Sequence, residues 1–113
     1  MMYELREYHC VAGRLPDLVR RFEVHTLGIW KRLGIRPVGF FTTYVGPSGT
    51  SLTYLLQWRS LAERERIWQA FLTDPAWLDA RKATESSGPL IDRLENRLLQ
   101  PCVMVPIIPG EDL

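Results

Sequence analysis

The first segment of the chain alternates between two sets of side chains, as a β-strand does. Within residues 2–10, one side consists of Tyr3, Leu5, Glu7 and His9, and the other of Met2, Glu4, Arg6 and Tyr8. Since the first side begins with apolar residues, we expect it to face a layer of helices. The charged side is then expected on the opposite face of the sheet.

A helix is predicted over residues 16–33. Pro16 suits the first helical turn, and Gly34 suits the position that follows the last one. Between them an apolar stripe of helical spacing surrounds Phe22 and consists of Leu15, Leu18, Thr26, Ile29 and Leu33. His25 and Trp30 fall on either side of this stripe, so we expect both at its rim.

A β-hairpin is predicted next. Residues 36–45 and 51–59 are rich in β-branched and aromatic side chains, and the turn-forming residues 46–49 separate them. One face of the second strand is formed by Tyr54, Leu56 and Trp58.

A second helical region follows the hairpin. Ser60 and Glu63 have the spacing of a capping box, and the helix after them carries Leu61, Trp68, Phe71 and Leu72 on one side. Asp74 and Pro75 then cap and open a further helical turn that contains Trp77 and Leu78. The aromatic residues of this region suit a core or an interface better than a cofactor cage.

The pattern of residues 90–99 fits two structures. Leu90, Ile91, Leu94 and Leu98 have the spacing of a helix. Alternatively, Leu94, Asn96 and Leu98 alternate with Arg93, Glu95, Arg97 and Leu99, as in a strand. Spacing alone slightly favours the helix, whereas the order of the elements favours the strand. Residues 101–109 contain three prolines, which indicates an extended apolar tail. We expect this tail to pack on another surface, such as that of a partner subunit.

With a final strand, the order βαββαβ predicts an α+β, ferredoxin-like fold. Its four antiparallel strands would run in the order 4-1-3-2, with two main helices on one face. We expect the other face to be open and to carry Arg6, Tyr8, Tyr54, Leu56 and Trp58. Because that face is too apolar to leave in water, two sheets packed face to face would close a barrel across a homodimer.

Length and charge narrow the class of protein. The chain has 113 residues, which corresponds to a single domain over 1–113. Its 14 basic and 13 acidic residues give a net charge of +1, without the basic excess of a nucleic-acid-binding domain. No apolar run approaches the ~18 residues of a membrane span, and residues 1–8 lack the apolar core of a signal peptide. We therefore expect a cytoplasmic protein with no nucleic-acid or membrane partner.

Five segments, which together extend over nearly the whole chain, match the pattern of a known family in the family's own order. They are Tyr-Glu-Leu-Arg-Glu-Tyr at 3–8, Val-Gly-Phe-Phe-Thr-Thr at 38–43, Trp-Arg-Ser-Leu-Ala-Glu-Arg at 58–64, Asp-Pro-Ala-Trp at 74–77 and Glu-Asn-Arg-Leu-Leu at 95–99. In these segments the chain resembles the NIPSNAP family. The resemblance implies a dimeric α+β barrel with residues 95–99 on a strand, and it implies no particular activity.

Charged residues on the predicted sheet are the first candidates for chemistry. Glu4, Arg6 and Tyr8 share one face of the first strand, and we expect Glu95 and Arg97 on the matching face of its neighbour. Buried charges must be paired, so these residues could form a salt-bridge network that fixes the register of a dimer. Alternatively, Arg6 and Arg97 could bind an anion or a carbonyl group in a polar cavity, where Tyr8 or Glu4 moves a proton.

Two further side chains are candidates for the same site. His25 is the best single candidate for proton transfer or for a haem ligand. Trp58 is expected to face inward as a ligand-binding residue. Cys10 and Cys102 lack the spacing of a zinc site, and the chain has no phosphate-binding loop. We therefore expect no metal site and no tightly bound cofactor.

Two classes of function follow from these residues. The first is a homodimeric binder or enzyme for a small anionic or carbonyl compound. The second is a non-enzymatic homodimeric interaction module. A cavity with unpaired polar groups favours the first class, whereas a cavity filled by aromatic side chains and closed salt bridges favours the second.

Overall fold

The computed structural model describes residues 1–103, in which four strands and two helical regions follow the order βαββαβ. The strands are β1 (Met2–Cys10), β2 (Arg36–Thr42), β3 (Ser51–Trp58) and β4 (Ile91–Leu99). They form one antiparallel sheet in the order β2-β3-β1-β4. The α+β, ferredoxin-like fold and its strand order are thus confirmed, and the ambiguous last segment is a strand. Most of the predicted apolar tail lies outside the described residues.

The first helical segment is continuous but not uniform. It consists of α1 (Leu15–Arg21), a π-helical turn (Phe22–Thr26) and α2 (Leu27–Leu33). Gly34 ends the segment in the left-handed conformation with φ of 90°, which a residue without a Cβ adopts at no steric cost. The segment and its cap are therefore where the sequence predicts them.

Both predicted caps of the second helical region are present. The backbone N–H of Glu63 donates to the Ser60 hydroxyl over 3.1 Å at the start of α3 (Leu61–Leu72). The backbone N–H of Trp77 donates to the Asp74 carboxylate, also over 3.1 Å, at the start of α4 (Pro75–Thr84). Within residues 1–103, no helix combines the length and apolar character needed to cross a bilayer.

The helices cover the sheet face opposite to the one that the sequence predicted. In β1 the buried residues are Glu4, Arg6, Tyr8 and Cys10, while Tyr3, Leu5, Glu7 and His9 are half-buried on the open face. Residues that pair across two antiparallel strands point to the same face. Tyr54 pairs with Arg6, and Leu56 pairs with Glu4. When the helices bury the apolar face of β3, they therefore bury the charged face of β1 as well.

Trp30 lies in the core and not at the rim of the helical stripe, with 1% of its surface exposed. The π-helical turn explains the difference, because Leu27 N–H donates to the carbonyl of Phe22, five residues earlier. The extra residue of such a turn rotates the following helix by about 100° relative to a regular one. Trp30 consequently packs on Phe22, with 5.5 Å between the ring centroids.

Candidate functional site

The carboxylate of Glu4, which is 0% exposed beneath the helices, accepts hydrogen bonds on both oxygens. Oε1 accepts from Trp58 Nε1 (3.0 Å) and Arg64 Nε (2.8 Å). Oε2 accepts from Arg6 Nη1 (2.9 Å), Arg64 Nη2 (3.0 Å) and Asn96 Nδ2 (3.0 Å). Burial alone would raise the pKa of this carboxyl, but its hydrogen bonds and the neighbouring guanidinium of Arg6 hold it at about 2. An ionised and saturated carboxylate is a poor proton carrier at neutral pH, so we assign Glu4 a structural role.

Arg6 connects this carboxylate to two tyrosines. Its Nε donates to Tyr54 Oη over 2.7 Å, and its Nη2 donates to Tyr8 Oη over 3.2 Å. The hydroxyl of Tyr54 donates in turn to Tyr8 Oη over 2.8 Å. Burial raises the pKa of Tyr54 well above its usual value, so this phenol keeps its proton. The oxygen of Tyr8 already accepts two hydrogen bonds, so the hydroxyl of Tyr8 can donate its proton to a hydrogen bond with another group.

Tyr8 and Arg6 lie on the floor of a pocket between the sheet and the helices, with a volume of about 620 Å³. Its apolar walls are formed by aromatic side chains of the helices, namely Phe22, Trp30, Trp68, Phe71 and Trp77. Trp68 stacks on the guanidinium of Arg6, whose Cζ lies 4.5 Å from the ring centroid. Trp68, Phe71 and Trp77, which the sequence assigned to a core or an interface, therefore line a pocket.

Arg21 lines the same pocket although only 4% of its surface is exposed. Its guanidinium carbon lies 5.0 Å from the ring centroid of Trp77, and its Nη1 is 3.4 Å from Oε2 of Glu85. Within residues 1–103, the Nε of Arg21 has no hydrogen-bond partner. Burial lowers the pKa of this guanidinium, and the charge of Glu85 offsets the effect only in part.

A second donor on the pocket wall is also unsatisfied. The indole Nε1 of Trp30 is buried and has no partner among the described residues. A buried donor without a partner costs about 1–3 kcal/mol, and such groups are rare in folded proteins. Arg21 and Trp30 line the same pocket as Tyr8, so three residues of this pocket carry donors that have no acceptor within residues 1–103. Such donors are suited to acceptor oxygens of a ligand.

Two predicted site residues, Glu95 and Arg97, lie on the open face of the sheet. Glu95 pairs with Glu7 and Arg97 with Leu5, whereas the partner of Arg6 is Asn96. The expectation that Arg6 and Arg97 share a cavity is therefore wrong, because side chains alternate between faces at every residue. Asn96 takes the predicted place beside Glu4.

The remaining predicted residues are separated from the pocket. Trp58 is fully buried and does not line the pocket, but its indole N–H binds Glu4. His25 is half-buried and lines a different groove, to which Arg21 also contributes. Cys10 and Cys102 are both free thiols, the first buried and the second exposed.

Sequence reasoning did not identify three residues of the site: Arg21, Arg64 and Asn96. Arg21 directly precedes Phe22, at the centre of the apolar stripe, so periodicity alone places it outside the core. Arg64 lies within the segment 58–64 that carries the family resemblance, which was a usable signal. Asn96 likewise lies within the segment 95–99 that carries the resemblance, but its place beside Glu4 follows from the register of β4 against β1.

The comparisons with known proteins agree with the architecture. A family model described as NIPSNAP matches residues 3–106. No curated protein matches the chain.

Solved structures of two bacterial proteins are similar over nearly their full length. One is an uncharacterized NIPSNAP-like domain protein from Burkholderia xenovorans, 25% identical with a TM-score of 0.82, covering 98% of this chain and 97% of that one. Another is a NIPSNAP family protein with unknown function from Agrobacterium tumefaciens, 27% identical with a TM-score of 0.80, covering 96% of this chain and 94% of that one.

A more distant likeness shows the fold alone. A putative antibiotic biosynthesis monooxygenase from Nitrosomonas europaea is 5% identical, with a TM-score of 0.63, and the likeness covers 91% of this chain and 100% of that one.

Proposed function

The chain belongs to the NIPSNAP family, and from its pocket we propose that it binds a small anionic or carbonyl compound without a tightly bound cofactor. The observation that carries this proposal is that Arg21 and Trp30, whose buried Nε and Nε1 donors lack partners within residues 1–103, both line this pocket. Bound acceptor oxygens would remove the cost of leaving both unpaired. A pocket with unpaired polar groups also supports this class over the interaction module.

Tyr8 is the residue that we assign to a carbonyl or developing oxyanion of the ligand. Its oxygen is fixed by donors from Arg6 and Tyr54, which directs its own proton away from both. The adjacent guanidinium of Arg6 would stabilise negative charge that builds up on the ligand oxygen. Proton donation from Tyr8 to such an oxygen is therefore the chemical step that this arrangement favours.

Tryptophan fluorescence tests the binding proposal, because three tryptophans line the pocket. The probes are phenylacetate, which carries an anionic group, and phenylacetamide, which is its neutral carbonyl analogue. We expect at least one of them to change the emission in a saturable way. Arg21→Met should weaken the binding of phenylacetate by about tenfold or more, as loss of a charged hydrogen bond does. The exposed neighbour variant Arg20→Met is the matched control and should bind as the wild type does. Absence of saturable binding by either probe would contradict the proposal.

We also propose a homodimer in which two open sheet faces pack together. The open face carries Leu5 and Leu55 as cross-strand partners, and Phe41, paired with Thr53, is 61% exposed. The pairs Leu5–Arg97 and Glu7–Glu95 add charges of both signs to the same face. A two-fold axis through it would bring apolar residues together and would let acidic and basic residues face each other. This arrangement is equally compatible with the interaction module.

A further inference from the structure

The carboxylate of Glu85 is shared between two arginines at the mouth of the pocket. Its Oε2 lies 3.1 Å from Nε of Arg81 and 3.4 Å from Nη1 of Arg21. The contact with buried Arg21 is thus the longer of the two, and it uses one nitrogen of the guanidinium. Arg21 consequently holds a carboxylate loosely while its Nε stays without a partner in residues 1–103.

From this geometry we infer that the ligand is a carboxylate attached to a flat apolar group, and that it displaces Glu85 from Arg21. The inference rests on the proposed function and specifies its ligand. A guanidinium binds a carboxylate best through two parallel N–H donors. A ligand carboxylate could engage Nε of Arg21 together with an adjacent Nη, which Glu85 does not do.

Displacement of Glu85 would leave no carboxylate unpaired. Glu85 is the residue that follows the last turn of α4, four positions after Arg81. The Arg81–Glu85 pair at this spacing is a local helical contact that does not depend on Arg21. Glu85 can therefore move from the buried arginine to the exposed one, whose side chain is 60% accessible.

The walls next to Arg21 define the rest of the ligand. Trp77 lies against the guanidinium of Arg21, and its ring centroid is 4.7 Å from that of Phe71, with 33° between the planes. Aromatic walls of this kind suit a planar apolar group that stacks or packs on edge. A compound with an aromatic or conjugated body and one carboxylate would satisfy both the walls and Arg21.

Three variants test whether Glu85 competes with the ligand, with phenylacetate as the probe and calorimetric titration as the measurement. Glu85→Gln removes the competing charge, so phenylacetate should bind about tenfold tighter than to the wild type. Asp79→Asn makes the same change of charge at an exposed position of α4 outside the pocket lining and should alter affinity by less than about twofold. Arg81→Met removes the alternative partner of Glu85, so it should weaken the binding of phenylacetate.

The affinity for phenylacetate should rise in Glu85→Gln and fall in Arg81→Met, so either variant still tests the displacement if the other does not fold. Equal affinity of wild type and Glu85→Gln, or an equal gain from Asp79→Asn, would overturn the displacement. So would Arg81→Met binding phenylacetate as tightly as the wild type. If phenylacetamide or phenyl phosphate binds and phenylacetate does not, the carboxylate inference fails while the proposed function stands. If no probe binds, the proposed function fails as well.

Discussion

The guanidinium of Arg64 spans both carboxylate oxygens of Glu4, with Nε 2.8 Å from Oε1 and Nη2 3.0 Å from Oε2. This contact joins α3, which contains Arg64, to β1, a central strand of the sheet that contains Glu4. Glu4 also binds Arg6, so one buried anion faces two cations. The network therefore holds the helical layer over the sheet and fixes the floor of the pocket.

Glu4→Gln should destabilise the protein by about 3–5 kcal/mol at neutral pH, because it leaves buried Arg6 without its anion. Urea denaturation followed by circular dichroism measures the change. Glu23→Gln, at an exposed position on the first helical segment, is the control and should lie within about 0.5 kcal/mol of the wild type.

The same carboxyl makes stability depend on pH. The fold lowers the pKa of Glu4 from 4.5 to about 2, so its contribution is complete above about pH 4.5 and is lost as pH falls toward about 2. The wild type should therefore lose up to about 3 kcal/mol more than Glu4→Gln across this window. Parallel pH profiles for the two proteins would contradict the assignment of this pKa.

Trp58→Ala should lower the free energy of unfolding by about 3–5 kcal/mol, as truncation of a buried tryptophan does. The side chain is 0% exposed and its N–H binds Glu4. Trp58→Phe keeps most of the apolar volume and should cost less. A loss under about 1 kcal/mol for the alanine variant would show that the residue is not part of the core.

Leu55→Asp should convert the proposed dimer into a monomer, because it places a charge without a partner in the middle of the packed sheets. Light scattering coupled to size-exclusion chromatography at micromolar concentration measures the mass. Leu61→Asp, at a half-exposed position on α3, is the control and should remain dimeric. A monomeric wild type would refute the sheet-to-sheet dimer.

Tyr8→Phe should weaken the binding of phenylacetamide by about 2–10-fold, the effect of losing one neutral hydrogen bond. Tyr3→Phe removes a hydroxyl from the open face of the same strand and serves as the control. Unchanged affinity in the position-8 variant would remove Tyr8 from the site.

The sequence predicted the order of the elements because local signals define them: Ser60 and Asp74 as helix caps, Gly34 as a helix end, and alternation in each strand. Its prediction of which sheet face the helices cover was wrong. That choice depends on the register of β1 against β3, which ties the burial of Glu4 to that of Leu56. Local patterns contain no information on such a pairing.

The candidate site was predicted only in part for similar reasons. Arg6 and Tyr8 line one pocket together, since they share a strand face and need no long-range pairing, but the pocket lies beneath the helices and not on the open face where the sequence placed them. Arg97 does not line the pocket. It is one residue after Asn96, the partner of Arg6, so its side chain points to the other face of the sheet. Arg21 was missed because it directly precedes Phe22 at the centre of the apolar stripe, so the apolar spacing places it outside the core.

A crystal soaked with 4-bromophenylacetate tests the ligand site most directly, because bromine locates the compound by its anomalous scattering. We predict a bromine peak among Trp68, Phe71 and Trp77, with the carboxylate within hydrogen-bond distance of Nε of Arg21 and Glu85 turned toward Arg81. A pocket without bromine at saturating concentration, or a bromine peak on the open sheet face alone, would contradict the account.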